Sequence, residues 1–337
     1  MQKTFQLPTP DETAARHSAE LTALIRETIA SRGDWISFAR FMDLALYAPG
    51  LGYYSAGATR FGPAGDFVTA PELSPVFARC VAHAVAPWLL TNPGADILEL
   101  GAGSGVFAVD LLRALDALET LPRRYRILEV SADLRRHQCE RVQAELPDLA
   151  SRIEWLDAPP DRAFDGVVIG NEVIDALPVE RFRVRNGSIE NLGVTWTGAD
   201  FDWLGVPADA SLANDVRALQ QDQPQAWPDG FVSELRPALP AWLTAVTQSL
   251  RRGLAVFIDY GLPAREYYRA DRPTGTLRCH YRHRAHDDPF RWPGLQDITA
   301  WVDFTALAKA ADTAGLDVAA FTTQAHFLLG AGVENVV

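Results

Sequence analysis

The chain has 337 residues, 48% of them hydrophobic and 22% charged, which is the balance of a folded globular protein and excludes a disordered or fibrous one. Its formal net charge of -12 and pI near 5.0 argue against a nucleic-acid partner, which would call for a basic stripe of phosphate contacts. No apolar run approaches the roughly 20 residues of a spanning helix and no secretory signal is read near Met1, so a cytoplasmic protein without membrane insertion is expected.

Leu21, Leu24, Ile25 and Ile29 recur at helical spacing and predict a helix over 11–32. Phe38, Phe41, Leu44 and Ala45 predict a second over 37–47, with Ser37 as its N-cap and Pro49-Gly50 as its stop. The Gly- and Pro-rich stretch 49–75 is long for a loop, and Tyr53, Tyr54, Phe61 and Phe67 mark it as packed and functional. From residue 96 short apolar runs alternate with helical patterns, as in βαβ units with a parallel sheet. Strands are expected at 96–100, 125–130, 153–156, 166–170 and 255–260, and helices at 105–118, 132–145, 239–251 and 304–314. Two further strands, 317–323 and 326–329, would close the sheet. Between the fourth and fifth strands lies an insertion, 179–237, too long for one crossover helix. Alternation around Asn186-Gly187 predicts a hairpin within 181–203, and 220–230 reads as a loop. The expected organisation is an N-terminal part, 1–90, of helices and a covering loop, then a Rossmann-like α/β domain, 91–337, whose β-rich insertion meets a substrate or partner.

The strongest chemical signal is Ile97-Leu98-Glu99-Leu100 running into Gly101-Ala102-Gly103-Ser104-Gly105 and then a helix. Glycines there let the backbone turn sharply and let a ligand approach with no Cβ in the way, while the helix start presents N–H groups to it. Val106 stands where a dinucleotide fingerprint places its third glycine. Glu99 would sit poorly beside a pyrophosphate and comfortably beside a sulfonium. Glu129, after the second strand, is placed to accept two ribose hydroxyls, and Asp157, after the third, could meet an adenine amino group. Asn171, Glu172 and Asp175 follow the fourth strand and face the glycine loop across the point where strand order reverses. For each of these polar residues a helix cap or a surface role is the competing explanation.

His280, His283 and His286 lie among Arg282, Arg284, Asp287 and Asp288 without a ligand pattern and read as a solvated loop, not a metal site. Cys80, Cys139 and Cys279 are too scattered for a disulfide framework or a metal cluster. No nucleophile elbow, zinc-protease helix or P-loop occurs.

Taken together, ISFARFMDLALYAPGLGYY from Ile36, GDFVTAPELSP from Gly65, the ELGAGSG loop, NEVIDALPVERF from Asn171, FIDYG from Phe257, HRAHDDPF from His283 and DITAWVDFTALA from Asp297 resemble the MidA-like family, which includes a mitochondrial complex I assembly factor with protein arginine methyltransferase activity. The resemblance implies a class I methyltransferase fold, S-adenosylmethionine as cofactor and a protein arginine as acceptor, in the mitochondrial member on a respiratory-complex subunit. It further implies that Gly65, Asp66, Thr69, Pro71 and Glu72 close over the cofactor, that Gly101, Gly103 and Glu129 hold it, and that Asn171, Glu172 and Asp175 line the reacting end. The chain departs from the family's usual ELGPGRG at Ala102 and Ser104, and from its E-x-S-P at Ala132, without losing a glycine or the ribose carboxylate. Two other readings stand beside this one: an assembly factor that binds S-adenosylmethionine without turnover, and a nicotinamide oxidoreductase on the same kind of sheet. Homo-oligomers are compatible with all three.

Overall fold

Five parallel strands, β1 (Asp96–Leu100), β2 (Tyr125–Leu128), β3 (Ile153–Leu156), β4 (Phe164–Asn171) and β5 (Leu250–Ile258), form a sheet in the order β5-β4-β1-β2-β3. The computed structural model describes residues 7–56 and 70–336. All five residues of β1 are buried, as expected of a strand with both faces covered; Ile97, Leu98 and Leu100 suit this, and the buried Asp96 is paired with Arg123 and Arg126. Helices Val106–Ala117 and Val76–Thr91 supply Phe107, Leu111, Leu112, Val81 and Val85 to a core that includes Ile97, Ile127, Val167 and Ile169. Chain order runs outward from β1 through β2 and β3, then returns to β4 and β5 on the other side. The order therefore reverses between β1 and β4, where open α/β sheets hold their ligands.

This sheet belongs to one of two compact units, made of residues 57–173, 240–259 and 310–337; the other comprises 1–56, 174–239 and 260–309. The expected boundary near residue 90 is not where the chain divides. The reason is a pairing far apart in sequence: Ile36–Ser37 adds antiparallel to the strand Ser188–Trp196 of the insertion, Ile36 opposite Val194. In this second unit Glu180–Arg185 and Ser188–Trp196 form the expected hairpin. Asn186 and Gly187 at its tip have φ of 49° and 72°, the two left-handed residues that a tight hairpin turn requires and that Asn-Gly adopts readily. Phe201–Pro207 and Val232–Leu235 complete a five-stranded antiparallel sheet. Phe182, Trp227, Phe231, Tyr267 and Tyr268 pack beneath it, with Trp227 and Phe231 stacked at 4.5 Å.

The helices begin where their caps allow. Asp11 accepts from the Ala14 N–H at the start of Glu12–Ser31, and Ser37 from the Arg40 N–H at the start of Phe38–Tyr47. Two expectations fail at the C-terminal end. Residues 317–323 form no strand, and Gln324–Gly330 is a helix whose N-cap Thr323 accepts from the His326 N–H. The apolar run Val318 to Phe321 suits a strand, but a strand exists only with a ladder partner; here the Val318 and Phe321 side chains are exposed. The histidine segment is not a solvated loop either: Arg278–Tyr281 and Arg284–His286 pair as a hairpin that buries Cys279 and Tyr281. Its turn, Arg282-His283, is left-handed at both residues, a conformation that neither residue type advertises in sequence. Among the described residues no helix is long and apolar enough to cross a membrane.

Candidate functional site

In the sheet-containing unit the glycine loop leaves β1 with Gly101, Gly103 and Gly105 at φ of 61°, 54° and 81°. All three stand in the left-handed region where a side chain is disfavoured, which accounts for their identity. The Gly101 N–H donates to the Leu128 carbonyl at 3.0 Å, so the loop starts pinned to the end of β2. Ala102 is buried, and the helix Val106–Ala117 begins immediately after Gly105. Ser104, one of the departures from the family pattern, donates from Oγ to Glu72, and its carbonyl accepts from Arg141 Nε at 2.9 Å. Glu72 and the buried Pro71 belong to the short helix Ala70–Leu73, so the segment expected to cover the cofactor does touch the glycine loop. Gly65, Asp66 and Thr69 lie outside the described residues.

Glu99 points into the sheet's packing, not into an open ligand site. It is 4% exposed and accepts from Tyr125 Oη at 2.8 Å. Burial pushes its carboxyl up to about 8, and Glu129 adds to the rise. It is therefore mostly neutral near pH 7, which corrects the expectation that it offers a counter-charge to a sulfonium. Glu129, just beyond β2, is buried; Oε1 accepts from the Ser131 N–H at 2.9 Å and Oε2 from Gln138 Nε2 at 3.0 Å. Burial raises its pKa while those donors oppose the rise. Gln138 is a residue that the sequence reading missed. Asp157 stands in solvent, its side chain 86% exposed and paired with Arg135 at 2.6 Å, so its surface role is the one with observed contacts.

At the end of β4, Asn171 has a buried Oδ1 with no hydrogen-bond partner among the described residues. Such an atom is costly to leave unmade and marks a place for a ligand donor. Glu172 follows with φ of 51°, a strained conformation for so large a side chain, and its N–H donates to the Ile258 carbonyl at 2.8 Å. Asn171, Gly101 and Glu129 all lie at or just beyond the carboxyl ends of neighbouring strands. An orphaned acceptor, a loop with three glycines and a fixed carboxylate fit a ligand carrying both amine and hydroxyl donors, as S-adenosylmethionine does.

The chain passes into the second unit at Ile174, and Asp175 is described there. It is buried, and its carbonyl accepts from Arg236 at 2.9 Å and from the Ala300 N–H at 3.1 Å. Tyr47 donates to the Ala176 carbonyl at 3.0 Å and stacks on Tyr54, which donates to Asp297 Oδ1 at 2.9 Å. Burial, with Asp297 and Asp175 nearby, drives the Tyr47 hydroxyl far above its ordinary range. Three of the segments that carry the family resemblance thus converge within this unit, around the backbone of Asp175 and Ala176.

Fold and site together define a class I S-adenosylmethionine-dependent methyltransferase. Residues 80–322 match a family model described as "Putative S-adenosyl-L-methionine-dependent methyltransferase", and the chain belongs to that family. It is 46% identical to a COG1565 superfamily member from Burkholderia thailandensis whose crystal structure holds S-adenosyl-homocysteine, with a TM-score of 0.92 over 98% of this chain and 85% of that one. It is also 26% identical to a Drosophila melanogaster protein named protein arginine methyltransferase NDUFAF7 homolog, mitochondrial, across 94% of this chain and 75% of the relative. The Mus musculus protein of that name is likewise 26% identical, across 87% and 71%. The cofactor is S-adenosylmethionine, and the family sets aside the nicotinamide reading.

Proposed function

We propose that the chain methylates an arginine side chain of a protein acceptor, with the cofactor held by Gly101, Gly103, Glu129 and Asn171 and covered from the Pro71-Glu72 side. The observation that carries this reading is the end of β4, where an acceptor without a partner among the described residues, Asn171 Oδ1, is followed by a carboxylate residue held at a strained φ of 51°. The names of the mitochondrial relatives support arginine as the target. A respiratory-complex subunit, implied by the family resemblance, is the acceptor to try first.

S-adenosylmethionine bound at the loop supplies a methyl group on a sulfonium. The chain's own contribution is alignment and exclusion of water, since holding two reactants in line removes most of the entropic part of the barrier. A guanidinium stays protonated, its pKa being above about 12. Carboxylates must therefore orient it through paired hydrogen bonds and draw its charge away from the attacking nitrogen. Glu172 and Asp175 are the candidates for that role.

The test is transfer of isotopic methyl from S-adenosylmethionine to a respiratory-subunit preparation, with methylarginine identified after hydrolysis. Glu172→Gln and Asp175→Asn are each expected to lower kcat by about 100-fold or more, the usual effect of losing one group that stabilises charge in the transition state, with cofactor affinity little changed. Full turnover in both variants, or label on a residue other than arginine, would overturn the proposal.

A further inference from the structure

We infer that Gln138 is a positioning residue for the cofactor: its side-chain amide holds the Gly103 carbonyl and the Glu129 carboxylate in the orientations that binding uses. The inference rests on the proposal that the glycine loop and Glu129 hold the cofactor. The helix Ala132–Glu145 buries only Leu134, Gln138 and Val142, a stripe at four-residue intervals with an amide in its centre. Gln138 is fully buried. A leucine would fill such a position, and an unpaired amide there would be destabilising. Instead Nε2 donates to the Gly103 carbonyl at 2.9 Å and to Glu129 Oε2 at 3.0 Å, while Oε1 accepts from Trp155 Nε1 at 2.9 Å.

The indole can only donate, which fixes which end of the amide faces Trp155 and leaves the NH2 for the other two partners. One side chain thereby ties together the connection after β1, the connection after β2 and the strand β3. It also explains Gly105 further: besides its φ of 81°, a Cβ there would lie 3.3 Å from Gln138 Cγ. With the Ser131 N–H on one oxygen and Gln138 on the other, the Glu129 carboxylate cannot rotate, and its remaining lone pairs keep a fixed direction for ligand hydroxyls.

The test is calorimetric titration of the full chain with S-adenosylhomocysteine, with the thermal midpoint recorded for each variant. Gln138→Leu and the isosteric Gln138→Glu, which keeps the Trp155 bond but loses both donations, are expected to fold and to bind about 10–100-fold more weakly, the range for losing hydrogen bonds to a charged group. Adding Gln138→Leu to Glu129→Gln is expected to cost less than Gln138→Leu costs in the wild-type chain, because the part that acts through Glu129 is already lost and only the hold on Gly103 remains. Wild-type affinity in Gln138→Leu, or losses that multiply in the double variant, would overturn the inference. Should the Gln138 variants fail to fold, Trp155→Phe decides: a loss of about 3–10-fold is expected from freeing the amide, and unchanged affinity overturns it. Failure of the wild-type chain to bind would instead sink the placement of the cofactor on this loop.

Discussion

Gly101→Val is expected to lower affinity for S-adenosylmethionine by at least about 100-fold while leaving a folded protein, because three separate effects converge on this residue. The backbone stands at φ of 61°, where a β-branched side chain is strained by about 1–3 kcal/mol. Any Cβ would lie 3.2 Å from Val173 Cγ1, closer than packed carbons prefer. The N–H is tied to the Leu128 carbonyl, so the residue cannot swing away to relieve either conflict. Relief has to come from the loop, whose course sets how closely the backbone approaches a ligand. Calorimetry with S-adenosylmethionine, together with a thermal melt, checks this: a lower midpoint with binding lost is the expected pair, and unchanged affinity would contradict the assignment of the loop.

Glu99→Gln is expected to stabilise the protein at alkaline pH, the opposite of what loss of a native hydrogen-bonding carboxylate usually does. The folded chain holds the Glu99 carboxyl at about 8 against an ordinary 4.5, so between these values the folded state binds a proton that the unfolded state has released. Stability from this group therefore falls as pH rises from about 4.5 to about 8, and the full penalty is present above that. The shift corresponds to about 5 kcal/mol as an upper bound, and relaxation around a buried charge brings the expected gain to about 2–4 kcal/mol. The Gln side chain still accepts from Tyr125 and never ionises. Denaturant midpoints at pH 5 and pH 9 should show the variant close to wild type at the first and well above it at the second. A variant less stable than wild type at pH 9 would mean that Glu99 is ionised and partnered in the folded chain.

The parallel sheet was legible because its information is local. Ile97 to Leu100 is apolar enough for burial on both faces except at Glu99, and the glycines that follow can only make a turn. The Asn186-Gly187 hairpin was legible for the same reason, two adjacent residues specifying one turn. The division into units was not, because it depends on Ile36 meeting Val194 across four of the five strands of the parallel sheet and the first strand of the insertion. Residues 317–323 show the limit of a short apolar run: it names no ladder partner. At the site, Asn171 and Glu129 could be placed from their position after strands, since strand ends converge by topology. Gln138 could not be singled out by residue type, yet its place midway between Leu134 and Val142 on one helical stripe was available as a signal. Glu99 was visible as a residue but not as a neutral one, because its protonation is set by burial and by the neighbouring Glu129, against the opposing hydrogen bond from Tyr125.

The most direct test of the central claim is isothermal titration of the full wild-type chain with S-adenosylmethionine and, separately, with NAD. Saturable one-to-one binding of S-adenosylmethionine without binding of NAD is the expected result and would place the glycine loop, Glu129 and Asn171 in a working cofactor site. Binding of NAD in its place, or no binding of S-adenosylmethionine, would contradict the account.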